Sequence, residues 1–149
     1  TFHLSETVPF EGSNESTAAQ LTNNSLMMNS RNQTGKYRIV SLSKDGGETW
    51  DTAYVDPNLP DPICEGSLLN IGTKKGKSVL AFCNNDDQND RDSLTLRISF
   101  DGGKTWKTKI LIDPKNTGYS DIVKLSDKKI GVLYEADGYK EIRFVATKW

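Results

Sequence analysis

Five side chains spread along the sequence would, if brought together, handle an anionic substrate and move a proton. Glu15 and Tyr119 each stand immediately before a serine, Ser16 and Ser120, that opens a strand-like stretch, and Gly66 stands the same way before Ser67. A carboxylate and a phenol at matched positions are a proton acceptor and a proton donor. Arg31 follows the apolar residues 26–28, and Arg91 lies in a polar stretch ahead of Leu94. Guanidinium groups are permanent cations whose planar fork suits a carboxylate. Glu135 ends the apolar run 129–134. Taken singly, each has a plainer reading: a solvated arginine, a half-buried strand tyrosine, a turn glutamate. The choice depends on whether the elements that carry them converge.

Composition removes several other chemistries. With 2 cysteines and 1 histidine, no spacing matches a zinc pattern, so no metal and no cofactor is expected. Cys64 and Cys83 read as two buried free thiols rather than a disulfide, and His3 as a loop residue rather than a base. A formal net charge of −1 with 26% charged residues offers no polyanion-binding surface, so nucleic acid is not an expected partner. No apolar run approaches the ~20 residues of a membrane helix, so no membrane insertion is expected. Thr1 begins mid-pattern, without an initiator Met, a basic leader or an apolar signal segment, which reads as a missing N-terminus.

An internal repeat supplies the elements. Residues 43–50 read Ser-Lys-Asp-Gly-Gly-Glu-Thr-Trp, and 99–106, 56 positions later, read Ser-Phe-Asp-Gly-Gly-Lys-Thr-Trp. The shared pattern predicts a tight hairpin. Asp45 and Asp101 accept backbone N–H bonds within their own turns, Gly47 and Gly103 supply positive φ, and Trp50 and Trp106 cover the turn. These are structural staples. Around them, strand-like pairs recur at 16–21 and 25–29, at 67–71 and 78–82, and at 120–125 and 129–134. Each pair is followed by a third segment, 37–42, 94–100 or 141–147. The first two units add a fourth, 52–55 and 107–112.

The repeating unit is therefore a four-stranded antiparallel meander of about 50 residues, the size of a propeller blade. The expected fold is all-β, with blades at about 13–60, 64–115 and 118–149, the last stopping after three strands. A propeller needs four or more blades to close, so the N-terminal blades are expected upstream of Thr1, where the last blade's outer strand can also originate. In this geometry Glu15, Gly66 and Tyr119 sit at the mouth of the central channel. Asn84 and Asn85, after the second strand of the middle blade, are placed to touch substrate. Tyr37, Tyr54, Tyr134 and Tyr139 read as structural.

The order of Asn14-Glu15-Ser16, Leu26-Met27-Met28-Asn29-Ser30-Arg31-Asn32, Arg91 before an Asp-box strand, and Gly118-Tyr119-Ser120-Asp121 resembles the second half of bacterial-type exo-α-sialidases. Leu59-Pro60-Asp61-Pro62 and Cys64-Glu65-Gly66-Ser67 extend the match, with Glu65 where the family often has Gln. The resemblance implies a six-bladed propeller and sialylated glycans as substrate. It implies Tyr119 as nucleophile, Glu15 as its general base, Arg31 and Arg91 as two of three carboxylate-binding arginines, and Glu135 as a supporting acid that orients the remaining arginine. It also implies an extracellular or periplasmic location.

Departures matter as much. The family's Phe-Arg-Ile-Pro arginine motif is absent, and none of Asp86, Asp87 and Asp90 matches its aspartate acid/base. The chain is thus expected to depend on the N-terminal half of the same propeller and not to turn over substrate alone. Competing readings are a non-catalytic Asp-box propeller, a sialic-acid-binding lectin, and trans-sialylation or an intramolecular reaction on the same scaffold. Three Asn-x-Ser/Thr sequons at Asn14, Asn23 and Asn32 read as chance, because the first overlaps the proposed base.

Overall fold

A computed structural model describes residues 2–149. Among these described residues, eleven strands form three antiparallel sheets. The first holds β1 (Ser13–Gln20), β2 (Leu26–Asn32), β3 (Tyr37–Ser43) and β4 (Thr52–Pro60). The second holds β5 (Ser67–Lys74), β6 (Lys77–Asn85), β7 (Leu94–Ser99) and β8 (Thr108–Asp113). The third holds β9 (Ser120–Ser126), β10 (Lys129–Ala136) and β11 (Glu141–Lys148). Each is a meander in which sequence neighbours pair. Among the described residues the only helical element is a 3-10 turn, Thr22–Asn24.

The strand pattern follows from which faces are covered. In β6, Leu80 and Phe82 pack toward the first sheet with Met27, Val40 and Leu59, while Val79, Ala81 and Cys83 pack toward the third with Ile130 and Val132. A strand covered on both faces has no reason to alternate polar and apolar residues, and β6 reads as a near-continuous apolar run. The third sheet is covered on one face only. Ile122, Ile130, Val132 and Tyr134 face the core, whereas Val123, Leu125, Leu133, Ile142 and Phe144 are exposed on the other side. Leu133 pairs directly with Phe144, and the Phe144 ring lies over Gly131, where a Cβ would come 2.5 Å from the ring edge.

The first strands of the sheets lie side by side, β1 against β5 and β5 against β9. Polar stitches fix this seam. Leu68 N–H donates to Thr17 Oγ1 at 3.2 Å, and the Asn70 side-chain amide donates to the Gln20 carbonyl at 2.7 Å. Ser67 Oγ donates to Asp121 at 3.1 Å and accepts from Ile122 N–H at 3.2 Å. Both Asp-box turns form as the sequence predicts, with Thr49 and Thr105 donating to Asp45 and Asp101. Cys64 and Cys83 are buried and unpaired.

The boundaries differ from the sequence reading in three places. β2 runs on to Asn32, so Arg31 lies within a strand rather than after one. β4 reaches Pro60 through an irregularity opposite β3, which tolerates two prolines at the sheet's outer edge. Phe100, expected to end a strand, falls outside β7 in the Asp-box turn.

Candidate active site

Glu15 reaches its position through a bulge. Ser13 pairs with Asn32 and Ser16 with Ser30, so Asn14 and Glu15 together face Arg31 alone. A bulge of this kind kinks the strand and re-aims a side chain. Here it brings both residues to one guanidinium: Arg31 Nη1 lies 2.9 Å from Glu15 Oε2, and Nη2 donates to Asn14 Oδ1 at 2.8 Å. The Arg31 and Glu15 side chains are 13% and 33% exposed.

Tyr119 arrives from the far side of the seam. Its hydroxyl donates to Glu15 Oε1, across 104 positions of sequence, and accepts a 3.4 Å contact from Arg31 Nη1. The bond to Glu15, partial burial and the Glu15 charge raise the phenol above its ordinary pKa, against a smaller opposing pull from Arg31. The resting proton therefore sits on the tyrosine with its acceptor already engaged.

The backbone of Tyr119 is clamped by Glu135. Tyr119 N–H donates to Glu135 Oε2 at 2.9 Å, while Gly118 N–H donates to the Glu135 carbonyl at 3.1 Å. Residue 118 must be glycine because a Cβ would drive into the Glu135 carboxylate and the Tyr139 ring. The sequence reading gave Glu135 the task of orienting an arginine; in this structure its carboxylate holds the tyrosine's own amide.

Arg91 completes the group. Its guanidinium carbon lies 5.9 Å from the centroid of the Tyr119 ring, within cation–π range. Nη2 donates to the Ile63 carbonyl at 2.7 Å and Nη1 to the Tyr139 hydroxyl at 3.1 Å. Ile63 and Tyr139 both have left-handed backbone, at φ 57° and 69°. For a β-branched residue such as Ile63 that is a strained conformation, found where surrounding contacts fix a functional group.

Glu15, Arg31, Arg91 and Tyr119 thus form one cluster, with Glu135 against it. Asn84 and Asn85 do not join them, which corrects the expectation that they touch substrate. Asn84 is 1% exposed; it donates to the Pro60 carbonyl and accepts from Arg97, both at 2.7 Å. Asn85 is fully buried and donates to the Asp92 carbonyl and Thr117 Oγ1. They fasten inter-sheet segments. His3 lies apart, paired with Glu48. Asp86 is committed to Arg97 and Lys109, and Asp87 caps its own turn.

Three participants escaped the sequence reading. Tyr139, taken as structural, holds Arg91. Asn14 holds Arg31. Glu65 accepts the Ser120 N–H at 3.1 Å, one residue from the phenol. Tyr139 was detectable in principle, because the β10–β11 turn must lie at the same end of the sheet as Tyr119.

Residues 3–132 match the BNR repeat-like domain family. The chain is 34% identical over 129 residues to a sialidase of Bacteroides fragilis, covering 82% of this chain and 24% of that protein. It is 33% identical over 131 residues to a sialidase of Micromonospora viridifaciens, covering 83% and 20%. Among solved structures, the Hadza microbial sialidase Hz136 superposes with a TM-score of 0.82 at 32% identity, over 92% of this chain and 28% of that one. The chain thus spans about a quarter of the length of these relatives. With its repeated Asp-box sheets and this set of relatives, the chain belongs to the BNR repeat-like domain family and has the fold of a sialidase-type β-propeller.

Proposed function

We propose that this chain is the nucleophile-bearing part of an exo-α-sialidase that releases terminal sialic acid with retention of configuration. The observation that carries the proposal is the hydrogen bond from the Tyr119 hydroxyl to Glu15, flanked by Arg31 and Arg91. Sialic acid bears a carboxylate on its reacting carbon, so a carboxylate nucleophile meets like-charge repulsion and a neutral phenol does not. Sialidases are accordingly exceptions to the two-carboxylate glycosidase scheme. A phenol of pKa ~10 is a weak nucleophile until a base takes its proton. Glu15 does so as the Tyr119 Oη–anomeric carbon bond forms and the bond to the leaving oxygen breaks, a general-base effect of roughly 10²–10⁴. Water then attacks the same carbon, giving its proton to the conjugate base of the acid that protonated the leaving group, while the bond to Tyr119 breaks and Glu15 returns its proton to the phenol oxygen. Two displacements give retention.

Arg31 and Arg91 hold the substrate carboxylate, and Glu135 fixes the height of the tyrosine. The acid that protonates the leaving group and a third arginine come from the remainder of the propeller. That remainder also covers the apolar face of Val123, Leu125, Leu133, Ile142 and Phe144. Sialylated glycans as substrates place the enzyme outside the cytoplasm, extracellular or periplasmic.

The test is hydrolysis of a fluorogenic sialoside by the complete protein and by its Tyr119→Phe variant. Turnover is expected to fall by about 10³ or more in the variant, with binding of free sialic acid retained, and the 149-residue chain alone is expected to be inert. Wild-type turnover by the variant would overturn the nucleophile assignment, and absence of turnover by the complete wild-type protein, with free sialic acid still bound, would favour a binding module.

A further inference from the structure

Two carboxylates grip consecutive amides at the base of the same tyrosine. Glu135 Oε2 accepts the N–H of Tyr119 at 2.9 Å, and Glu65 Oε2 accepts the N–H of Ser120 at 3.1 Å. They approach from different sheets: Glu135 lies on β10, and Glu65 ends the segment that enters β5. Both line one cavity of about 260 Å³ with Tyr119 and Ser120 between them.

Glu65 is itself held rigidly. Cys64 N–H donates to Asp61 Oδ1 at 3.0 Å, and the Cys64 carbonyl accepts from the buried Arg38. Gly66 is pressed so close to Phe82 that a Cβ would lie 2.8 Å from its ring. With the backbone fixed at Cys64 and Gly66 on either side, the Glu65 carboxylate is launched from a preorganised position.

We propose that Glu65 is a positioning residue for Tyr119, the second jaw of a two-carboxylate clamp on the strand entry that carries the phenol. The proposal rests on the reading of Tyr119 as the nucleophile. Its consequence is electrostatic as well as mechanical. Arg38 of β3 attracts the Glu65 charge, whereas Asp121 of β9 and Glu15 of β1 oppose it. Burial is the largest influence and pushes the group up to about 7, despite the bond from Ser120. Above neutral pH, Glu65 thus adds a negative charge beside a site built to receive a carboxylate. Below it, the neutral acid keeps a carbonyl oxygen for the amide.

The experiment compares kcat and KM of the complete wild-type protein, Glu65→Ala, Glu65→Gln and Tyr119→Phe between pH 5 and 9. Glu65→Ala is expected to lower kcat about tenfold, since small misplacement of a reacting group is costly, with KM changed less than about threefold. Glu65→Gln keeps an oxygen for the amide and is expected to recover most of that kcat. It is also expected to abolish the rise of KM through pH 7. Wild-type kcat in Glu65→Ala would overturn the clamp while leaving the nucleophile reading intact if Tyr119→Phe is inactive, and a KM profile in Glu65→Gln that still inflects at pH 7 would overturn the clamp's electrostatic consequence. Full turnover by Tyr119→Phe overturns both. Should Glu65→Ala fail to fold, Glu65→Leu, which keeps the bulk and removes the acceptor, takes its place with the same expected loss of kcat.

Discussion

The two Asp-box turns have the same sequence pattern and nearly the same bonds, yet they sit in different surroundings. In both, the serine hydroxyl donates to the aspartate at 2.8 Å and accepts the second glycine's N–H at 2.9 Å. The threonine N–H donates to the aspartate at 3.0 Å in one and 2.9 Å in the other. Their tryptophans part company. Trp106 is 7% exposed and packs into the core between the first two sheets, its ring centroid 5.9 Å from that of Phe82. Trp50 is only half-buried and belongs to neither core cluster. The glycines differ likewise: the Cβ position of Gly103 is filled by Met27 of the neighbouring sheet, that of Gly47 by Leu26 of its own. The motif dictates the turn; the seam beside it dictates how much the turn matters.

The largest effect expected from this contrast is on the tryptophans. Trp106→Ala should destabilise the protein by about 3–5 kcal/mol, as for other large core truncations, and Trp50→Ala by roughly 1 kcal/mol. Thermal unfolding of the two variants compares them, and equal losses would mean that the seam adds nothing. Next come the glycines of the second box. Gly103→Ala combines a φ of +87° with a collision against Met27, whereas Gly102→Ala at +77° opens into free space. The expected costs are roughly 3 and 1 kcal/mol, read as a difference in unfolding midpoint.

The smallest effect should be shared by both boxes. Burial alone would raise Asp101, but bonds from Thr105 and Ser99 hold it at about 2. The Thr49 and Ser43 bonds hold Asp45 below the usual carboxylate range as well. A carboxyl depressed in the folded state contributes stability that is present above its ordinary pKa and lost as pH falls toward the folded value. Asp45→Asn and Asp101→Asn should therefore each flatten the stability loss between pH 4 and 2, by similar small amounts. A clear difference between them would show that the local bonds are not as alike as their lengths.

The strands and the repeat were legible because alternation and turn chemistry act over a few residues. Glu15, Arg31, Arg91 and Tyr119 were legible as a group because a repeat converts position in one blade into position in the next. What lay hidden was set across seams. The bulge that re-aims Glu15 leaves no mark on the polarity pattern of β1. Tyr139 reaches Arg91 only because Asp137, Gly138 and Tyr139 all adopt positive φ, at 48°, 61° and 69°, which composition does not announce for a tyrosine. Asn84 and Asn85 look like mouth residues when the blade is read alone, but the last residues of β6 lie between two sheets and spend their amides on Pro60, Arg97, Asp92 and Thr117.

Acid and phenol meet through three inner strands leaning on one another, with no ladder of main-chain bonds joining one sheet to the next. A slight rocking of neighbouring blades would separate them while every meander kept its own pairing. The contact between Glu15 and Tyr119 is therefore the most fragile feature of the fold: mild warming or dilute denaturant should part them well before circular dichroism registers any loss of β structure.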